Sequence, residues 1–170
     1  MQHWPLNSQV HWLTSIPDRV SQPQASWITG LGSLTARLRQ SCQQLEVQLL
    51  ANQLVQANTD QQALLGASSL WCREVCLLGD KSAWVMAQSL WPEAALASRE
   101  LRQLHTQPLG ELLFSVAQPD DLCRQFCIYP SSDMALVARR SVYWYQRIPV
   151  LVQELFLPES PAYREAFNGQ

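Results

Sequence analysis

The chain has little charge. Charged residues make up 15% of its 170 residues, whereas hydrophobic residues make up 47%. Its lysines and arginines form no basic run, and the formal net charge of −2 offers no general attraction for a polyanion. This composition predicts a protein that does not bind nucleic acid, so any attraction for an anionic ligand has to be local.

Long apolar runs are also missing. No stretch of about 18 apolar residues is present, so we expect no stable insertion into a membrane. The start, MQHWPLNSQVHWL, has neither a basic n-region nor an apolar h-region, which argues against a secretory signal. The five cysteines, an odd number, are typical of reduced thiols. Together these features predict a cytoplasmic protein.

A chain of this length fits one domain, which we expect to cover residues 1–170. Residues 1–24 contain three prolines without clear periodicity and are predicted to form an irregular N-terminal arm. His3 and His11 lie too far from other metal-ligand side chains to indicate a metal site. We therefore expect both histidines at the surface.

The most informative stretch is VLVQELFLP, which predicts a strand over Val150–Pro158. Alternation places Val150, Val152, Glu154 and Phe156 on one face. Both faces are mostly apolar, which predicts a central strand covered on both sides. Because a buried carboxylate without partners costs several kcal/mol, Glu154 needs a donor, a proton or a ligand.

A second strand repeats this anomaly with the opposite charge. In LWCREVCLL, Leu70–Leu78, Arg73 shares a face with Trp71, Val75 and Leu77. One interpretation is that Arg73 and Glu154 simply pair with each other in the core. The other is that both are retained for function, because buried ion pairs are rarely a good source of stability. Cys72 and Cys76 would lie ~13 Å apart on this strand, too far to bind one metal ion.

Two helix starts offer backbone amides. Ser33 is a good N-cap for a short helix over Leu34–Gln40, which leaves the Leu34 N–H without an intrahelical acceptor. Pro108 is placed at the first position of a helix over Leu109–Val116, with Leu109 second. Such ends attract carboxylates, although capping and water satisfy most of them.

The remaining elements complete an α+β pattern. The predicted elements are a one-faced strand over Leu45–Leu50, an edge strand and loop within 51–66, a strand over Lys81–Trp91, a helix over Glu93–Leu104, a helix start at Asp120–Asp121, a possible helix carrying Cys123 and Cys127, and a strand over Leu136–Tyr145. In the strand over Lys81–Trp91, Trp84 is placed on one face with Met86 and Gln88. Arg139 and Arg140 are expected at the start of the strand over Leu136–Tyr145, with solvated side chains.

Four motifs, WCREVCLL, QPLGELLFS, RRSVYWY and QELFLPESPAY, resemble the chorismate pyruvate-lyase family in order and spacing. The likeness runs from about Ser26 to Tyr163. It implies a single α+β domain, an antiparallel β-sheet with helices packed on one face and helical flaps over a buried ligand site. It also implies an enzyme that eliminates pyruvate from chorismate to give 4-hydroxybenzoate, the first committed step towards ubiquinone, without a metal or an organic cofactor.

The resemblance also assigns residues. Arg73 matches the arginine that binds the ring carboxylate, and the Leu109 amide matches its backbone partner. Glu154 matches the glutamate that contacts the ring hydroxyl, and Leu34, where the family often has methionine, contributes its backbone amide there. We therefore expect Arg73 and Glu154 to be catalytic and all four residues to bind substrate and product.

Several points stay open at this level. Glu154 could act as a base or only orient the hydroxyl, and either Arg139 or Arg140 is a candidate partner for the enolpyruvyl carboxylate. A stand-alone module that binds a small aromatic acid without catalysis is the alternative function, and a degenerate family member is a third. For the enzyme, we expect a monomer that is inhibited by its own product, 4-hydroxybenzoate.

Overall fold

The computed structural model describes residues 4–7, 9–95, 98–119 and 122–164. Six strands in this part of the chain form one sheet with the order β1-β2-β3-β6-β5-β4, in which every neighbouring pair is antiparallel. The strands are β1 Leu45–Gln56, β2 Ser69–Gly79, β3 Ser82–Pro92, β4 Gln125–Pro130, β5 Ala135–Tyr145 and β6 Ile148–Phe156. The predicted antiparallel sheet is thus confirmed.

Strand β6 lies in the interior of this sheet, between β3 and β5. It begins and ends two residues earlier than the sequence indicates. Val150 and Leu151 point to opposite faces, and neither has any exposed surface. A strand that is apolar on both sides is stable only with cover on both sides, so the prediction of a central strand is confirmed.

A tight turn at Gln146–Arg147 joins β5 to β6. Both residues have positive φ, 47° and 68°, which is the conformation of the two-residue turns that match the twist of a hairpin. Tyr145 therefore pairs with Ile148, and the register continues without interruption to Arg139 opposite Glu154. The turn forms without the glycine that usually occupies such positions.

The hairpin between β2 and β3 contains an irregularity. Its turn is Asp80–Lys81, and the pairing shifts between Leu77 and Leu78. Trp84 is the extra residue on β3, a β-bulge, and it packs in the same core cluster as Val85 and Ala87. The predicted placement of Trp84 beside Met86 is wrong, because a bulge breaks the strict alternation of a strand.

Among the described residues, the helices lie mainly on one side of the sheet, as the family resemblance implies, although one of them covers the other side. They are α1 Gln22–Thr29, α2 Leu34–Arg39, α3 Thr59–Leu65, α4 Ser98–Arg102 and α5 Leu109–Leu113, followed by a 3-10 turn at Pro161–Tyr163. We call the side that carries Arg73 and Glu154 the site face; α1, α2, α4 and α5 pack there. The other side, the back face, is covered by α3 and by Trp4 and Leu6 of the N-terminal arm. No helix among the described residues is long and apolar enough to cross a membrane.

The helix predictions need some correction. Helix α5 ends at Leu113 and begins at Leu109, because Pro108 has an extended backbone with ψ of 123° and is the N-cap. Helix α4 covers Ser98–Arg102, which is shorter than the predicted helix over Glu93–Leu104. Residues 96 and 97 of that predicted helix lie outside the described part of the chain. The expected loop after β1 contains α3, whose start is fixed by a capping box between Asn58 and Gln61.

Other expectations concern single residues. His11 is exposed, as expected, whereas His3 and Asp120–Asp121 lie outside the described residues. Cys127 lies in β4, and Cys123 has a positive φ of 48°, so the suggested helix with both cysteines on one face is wrong.

We expect Gly79→Ala to destabilise the fold. A Cβ at this position would stand 2.3 Å from the buried Trp84 ring, and overpacking of this kind costs about 1–3 kcal/mol. Urea unfolding of the variant measures the loss directly. Most of it should disappear in a Trp84→Leu background, since contacting residues are not additive; equal losses in both backgrounds would contradict the steric cause.

Candidate active site

Arg73 and Glu154 line one cavity on the site face. They lie on β2 and β6 with β3 between them, so their backbones are roughly 10 Å apart across the sheet. They are offset along the strands, because Arg73 pairs with Ser89 and Glu154 with Ala87. The cavity is lined by Gly32, Leu34, Thr35, Val47, Arg73, Val75, Leu77, Ala87, Ser89, Pro108, Leu109, Gly110, Leu113, Phe114, Arg139, Tyr143, Val152 and Glu154.

Arg73 is a buried cation, 2% exposed. Its Nη2 donates hydrogen bonds to the carbonyls of His105 and Gln107, both at 2.8 Å, and its Nε donates to the His105 carbonyl at 3.3 Å. Among the described residues no carboxylate forms an ion pair with it. Burial lowers the pKa of Arg73 to about 10, so the side chain is still protonated near neutral pH. A buried cation held by carbonyls alone creates a site for an anion.

The contacts of Arg73 also place α5. His105 and Gln107 belong to the turn just before this helix, so the guanidinium fixes the segment that leads into Leu109. Leu109 is the first helical residue, and its N–H therefore has no intrahelical acceptor. Leu109 and Arg73 line the same cavity.

The starts of α2 and α5 lie against each other. A Cβ on Gly110 would stand 3.1 Å from the Ser33 hydroxyl, which caps α2 by accepting from the Ala36 N–H. Leu34, the first residue of α2, lines the cavity as Leu109 does. The structure thus brings together all four residues that the sequence singled out.

Glu154 is paired, but not with Arg73. It forms a short ion pair with Arg139, which is 2% exposed and directly opposite on β5. The interpretation in which Arg73 and Glu154 neutralise each other is therefore wrong. Burial lowers the pKa of Arg139, but the Glu154 charge and its hydrogen bond outweigh this, and the pKa is raised overall. The Glu154 side chain, held by Arg139, also lines the cavity.

The expectations for Arg139 and Arg140 need correction. Both lie in the middle of β5 and are buried, not solvated at its start. Arg140 points to the back face, where it pairs with Asp60 and with Gln125, so it cannot reach a ligand in the cavity. Arg139 is already committed to Glu154. Alternation along β5 already predicts that these two neighbours point to opposite faces.

Arg139 also reaches the helices above the sheet. Its Nη1 donates to the carbonyls of Gly30 at 3.1 Å and Trp27 at 3.3 Å, at the end of α1. The same guanidinium therefore holds the Glu154 carboxylate and the segment between α1 and α2. Pairwise sequence patterns gave no sign of this link, because it joins positions more than a hundred residues apart.

A surface ion pair joins the two short helices over the cavity. Arg39 of α2 and Glu111 of α5 are 2.9 Å apart, but their side chains are 50% and 56% exposed. Exposed pairs contribute about 0–1 kcal/mol, so this contact holds the helices together only weakly.

The family model for chorismate lyase matches residues 6–167. A probable chorismate pyruvate-lyase from Pseudoalteromonas atlantica is 35% identical, with 87% of this chain and 88% of the relative covered. A probable chorismate pyruvate-lyase from Vibrio parahaemolyticus is 39% identical, with 81% of this chain and 79% of the relative covered. A chorismate pyruvate-lyase from Proteus mirabilis is 33% identical, with 94% and 95% covered.

Solved structures show the same fold at low identity. The effector domain of PhnF from Mycobacterium smegmatis is similar with a TM-score of 0.55 at 17% identity, covering 76% of this chain and 91% of that one. The ligand-binding domain of a putative GntR-family transcriptional regulator from Bordetella bronchiseptica is similar with a TM-score of 0.54 at 15% identity. This match covers 73% of this chain and 92% of that one. At these identities the likeness concerns the fold alone.

We expect Arg139→Gln to destabilise the fold far more than Arg39→Gln. Removing one partner of a buried pair leaves an uncompensated charge, which typically costs about 3–5 kcal/mol, whereas the exposed Arg39–Glu111 pair contributes at most about 1 kcal/mol. Urea unfolding at neutral pH measures both losses. The double variant Arg139→Gln/Glu154→Gln should recover part of the first loss. Similar losses for Arg39→Gln and Arg139→Gln would contradict the assignment of a buried pair.

Proposed function

Because the chain belongs to the chorismate lyase family, we propose that it is a chorismate pyruvate-lyase that converts chorismate to 4-hydroxybenzoate and pyruvate. The observation that carries this proposal is Arg73, a buried cation with no acidic partner among the described residues, in the same cavity as Glu154. An aromatic acid with a para hydroxyl places a carboxylate and a hydroxyl at the two ends of a ring, and the cavity offers a matching group at each end.

Substrate binding follows from these groups. Arg73 and the Leu109 amide bind the ring carboxylate through charge-assisted hydrogen bonds, in the anion site that Arg73 creates. Glu154 and the Leu34 amide bind the ring hydroxyl. Val152 lies on the same strand as Glu154 and in the same cross-strand row as Arg73, and it offers an apolar surface to the ring.

The reaction requires the protein mainly to position the substrate. The bond between the ring carbon and the ether oxygen breaks, and its electron pair leaves with the oxygen as enolpyruvate. The adjacent ring carbon loses its hydrogen as a proton, and that electron pair completes the aromatic ring. Enolpyruvate then takes a proton on its methylene carbon to become pyruvate. Aromatisation drives the step, so holding the reactive conformation and stabilising the departing oxygen are sufficient tasks for the site.

Glu154 fits the role of an orienting carboxylate in this scheme. Its ion pair with Arg139 fixes its position, so that it accepts a hydrogen bond from the ring hydroxyl.

The second candidate is a module that binds a small aromatic acid without catalysis. Its support is the fold, which is shared with effector and ligand-binding domains of transcriptional regulators. Pyruvate release from chorismate, followed with a coupled dehydrogenase, separates the two. A steady rate proportional to protein concentration supports the lyase, and tight 4-hydroxybenzoate binding with no pyruvate supports the module.

The biological setting is a proposal as well. The family resemblance supports a role in supplying 4-hydroxybenzoate for ubiquinone synthesis, and the odd number of cysteines supports a cytoplasmic location. We propose that residues 1–170 act as a single domain and that the protein works as a monomer.

Arg73→Ala should lower kcat/KM by at least about 30-fold. Truncating one partner of a buried charged contact costs about 2–5 kcal/mol, and each 1.4 kcal/mol corresponds to a factor of ten. Arg73→Lys keeps the charge without the planar fork and should recover only part of the activity. Arg99→Ala, which removes an exposed arginine of α4, is the matched control and should behave as the unmodified protein. A folded Arg73→Ala variant with near-normal kcat/KM would overturn the site assignment.

4-Hydroxybenzoate should inhibit the enzyme competitively with chorismate, and pyruvate should inhibit far less. The carboxylate and hydroxyl that the site binds are both retained in this product, so that binding energy does not vanish after the chemistry. Release also requires the helices over the cavity to open, and such opening limits kcat in many enzymes. Progress curves that bend early, together with initial rates at added product, test this. An unchanged initial rate at 4-hydroxybenzoate far above KM would contradict it.

A further inference from the structure

Tyr143 is a cavity residue in the motif RRSVYWY, and the sequence analysis assigned no role to it. It lies on the site face of β5, is 4% exposed and lines the same cavity as Arg73 and Glu154. Its ring packs edge-on against Phe114, with centroids 5.6 Å apart and an interplanar angle of 77°. The ring is therefore held in place by packing, and its hydroxyl is a fixed polar group of the site.

The hydroxyl is held by Arg124. This arginine donates from Nη2 to the Tyr143 oxygen at 3.1 Å, from Nε to the Ser141 hydroxyl at 2.8 Å and from Nη1 to the Gly30 carbonyl at 2.7 Å. A guanidinium only donates, so it occupies a lone pair of the phenol oxygen and leaves the O–H of Tyr143 available. The adjacent positive charge also polarises that O–H and makes it a better donor.

The hydroxyl belongs to the Glu154 end of the cavity. Burial raises the pKa of the Tyr143 phenol and the Glu154 charge raises it further, against smaller opposing effects of Arg139 and Arg124. The phenol therefore stays protonated near neutral pH. Arg124 and Arg139 also share the Gly30 carbonyl as an acceptor, which brings the Tyr143 hydroxyl and the Glu154 carboxylate under the same segment.

Two other hydroxyls, those of Ser89 and Thr35, belong to the described lining residues. Ser89 pairs directly with Arg73 in the register. The Thr35 hydroxyl oxygen is 3.6 Å from where a Cβ on Gly110 would stand, at the start of α5. Arg139 donates from Nε to Glu154 and from Nη1 to Trp27 and Gly30, whereas Arg124 donates to the protein from all three of its nitrogens. Of the three hydroxyls that line the cavity, Tyr143 is the one connected to the Glu154 end, through the Gly30 carbonyl that both arginines share.

We propose that Tyr143 is a further catalytic residue, whose hydroxyl donates a hydrogen bond to the ether oxygen that departs as enolpyruvate. The inference rests on the proposed lyase function. In chorismate the ether is on the ring carbon next to the one that carries the hydroxyl, so a substrate whose hydroxyl contacts Glu154 holds its ether oxygen at the same end of the cavity.

The hydrogen bond acts on charge that develops during the reaction. As the ether bond breaks, its electron pair collects on the departing oxygen, and a donor already fixed there stabilises it without reorganisation. Tyr143 keeps its own proton; the proton that completes pyruvate is added to the methylene carbon. The Tyr143 contact is thus stronger in the transition state than with either bound substrate or product.

Tyr143→Phe tests this, because it removes only the hydroxyl and keeps the ring that packs on Phe114. We expect kcat to fall by about 10²-fold, the usual effect of losing one donor to a developing oxyanion. KM for chorismate and Kd for 4-hydroxybenzoate should stay within about twofold of the unmodified protein, because this donor acts mainly in the transition state. A merely structural role would instead lower thermal stability or weaken product binding.

The matched control is Tyr145→Phe. Tyr145 lies two residues further on the same strand, is equally buried and donates its hydroxyl to Glu100 outside the cavity, so its kcat should not change. A kcat for Tyr143→Phe within twofold of the unmodified, active protein overturns the inference and leaves the lyase function intact. A parallel loss of kcat and 4-hydroxybenzoate affinity overturns it too, because the hydroxyl then binds the product. If the unmodified protein releases no pyruvate, the proposed function itself fails.

Discussion

The ion pair between Arg139 and Glu154 is the interaction on which the site depends most. Taking two charges out of water is costly, and their attraction compensates only when the remaining donors and acceptors are satisfied. Here the other arm of Arg139 donates to the carbonyls of Trp27 and Gly30, so the desolvated guanidinium is well bonded. The carboxylate is fixed as a consequence, and so is the end of α1 that covers it.

This arrangement also sets the charge of the cavity. Arg139 neutralises Glu154, which leaves Arg73 as the uncompensated charge among the cavity-lining residues of the described chain. The protein as a whole is slightly acidic, with a net charge of −2, so the attraction for an anionic ligand is produced locally by one buried side chain. In the function that we propose, this charge attracts the ring carboxylate of the substrate and leaves the ring hydroxyl to the Glu154 end of the cavity.

Much of this site follows from the sequence by simple alternation. Arg73 and Glu154 stand out because each interrupts an apolar face, and the period of two in a strand points both to the same kind of surface. The position of the residue that pairs with Glu154 can also be predicted from the sequence, once the turn is known. Counting back from a two-residue turn at Gln146–Arg147 pairs position 139 with position 154, but nothing in Gln-Arg announces a turn with two positive φ values.

Other features depend on contacts that no local pattern encodes. The bulge at Trp84 shifts the hairpin by one residue, and without that shift Arg73 would pair with Gln88 instead of Ser89. The space for the Trp84 ring comes from Gly79, five positions away on the neighbouring strand. Likewise Arg124 reaches Gly30 across 94 positions, so the segment over the cavity is defined only once the chain has folded.

The fold is shared with effector-binding domains, so the difference between a binder and a lyase must lie in particular side chains. A binder needs only groups that complement what the ligand keeps, such as Arg73 for a carboxylate and Glu154 for a hydroxyl. A lyase also needs a donor directed at what the ligand loses, because only interactions that strengthen in the transition state accelerate the reaction. Tyr143, whose oxygen accepts from Arg124 and which lines the same cavity as Glu154, is the residue that we propose for this additional requirement. Tyr143 lies on the strand that also carries Arg139, which fixes Glu154, so one hairpin carries both groups that we propose for the departing ether oxygen and for the neighbouring hydroxyl.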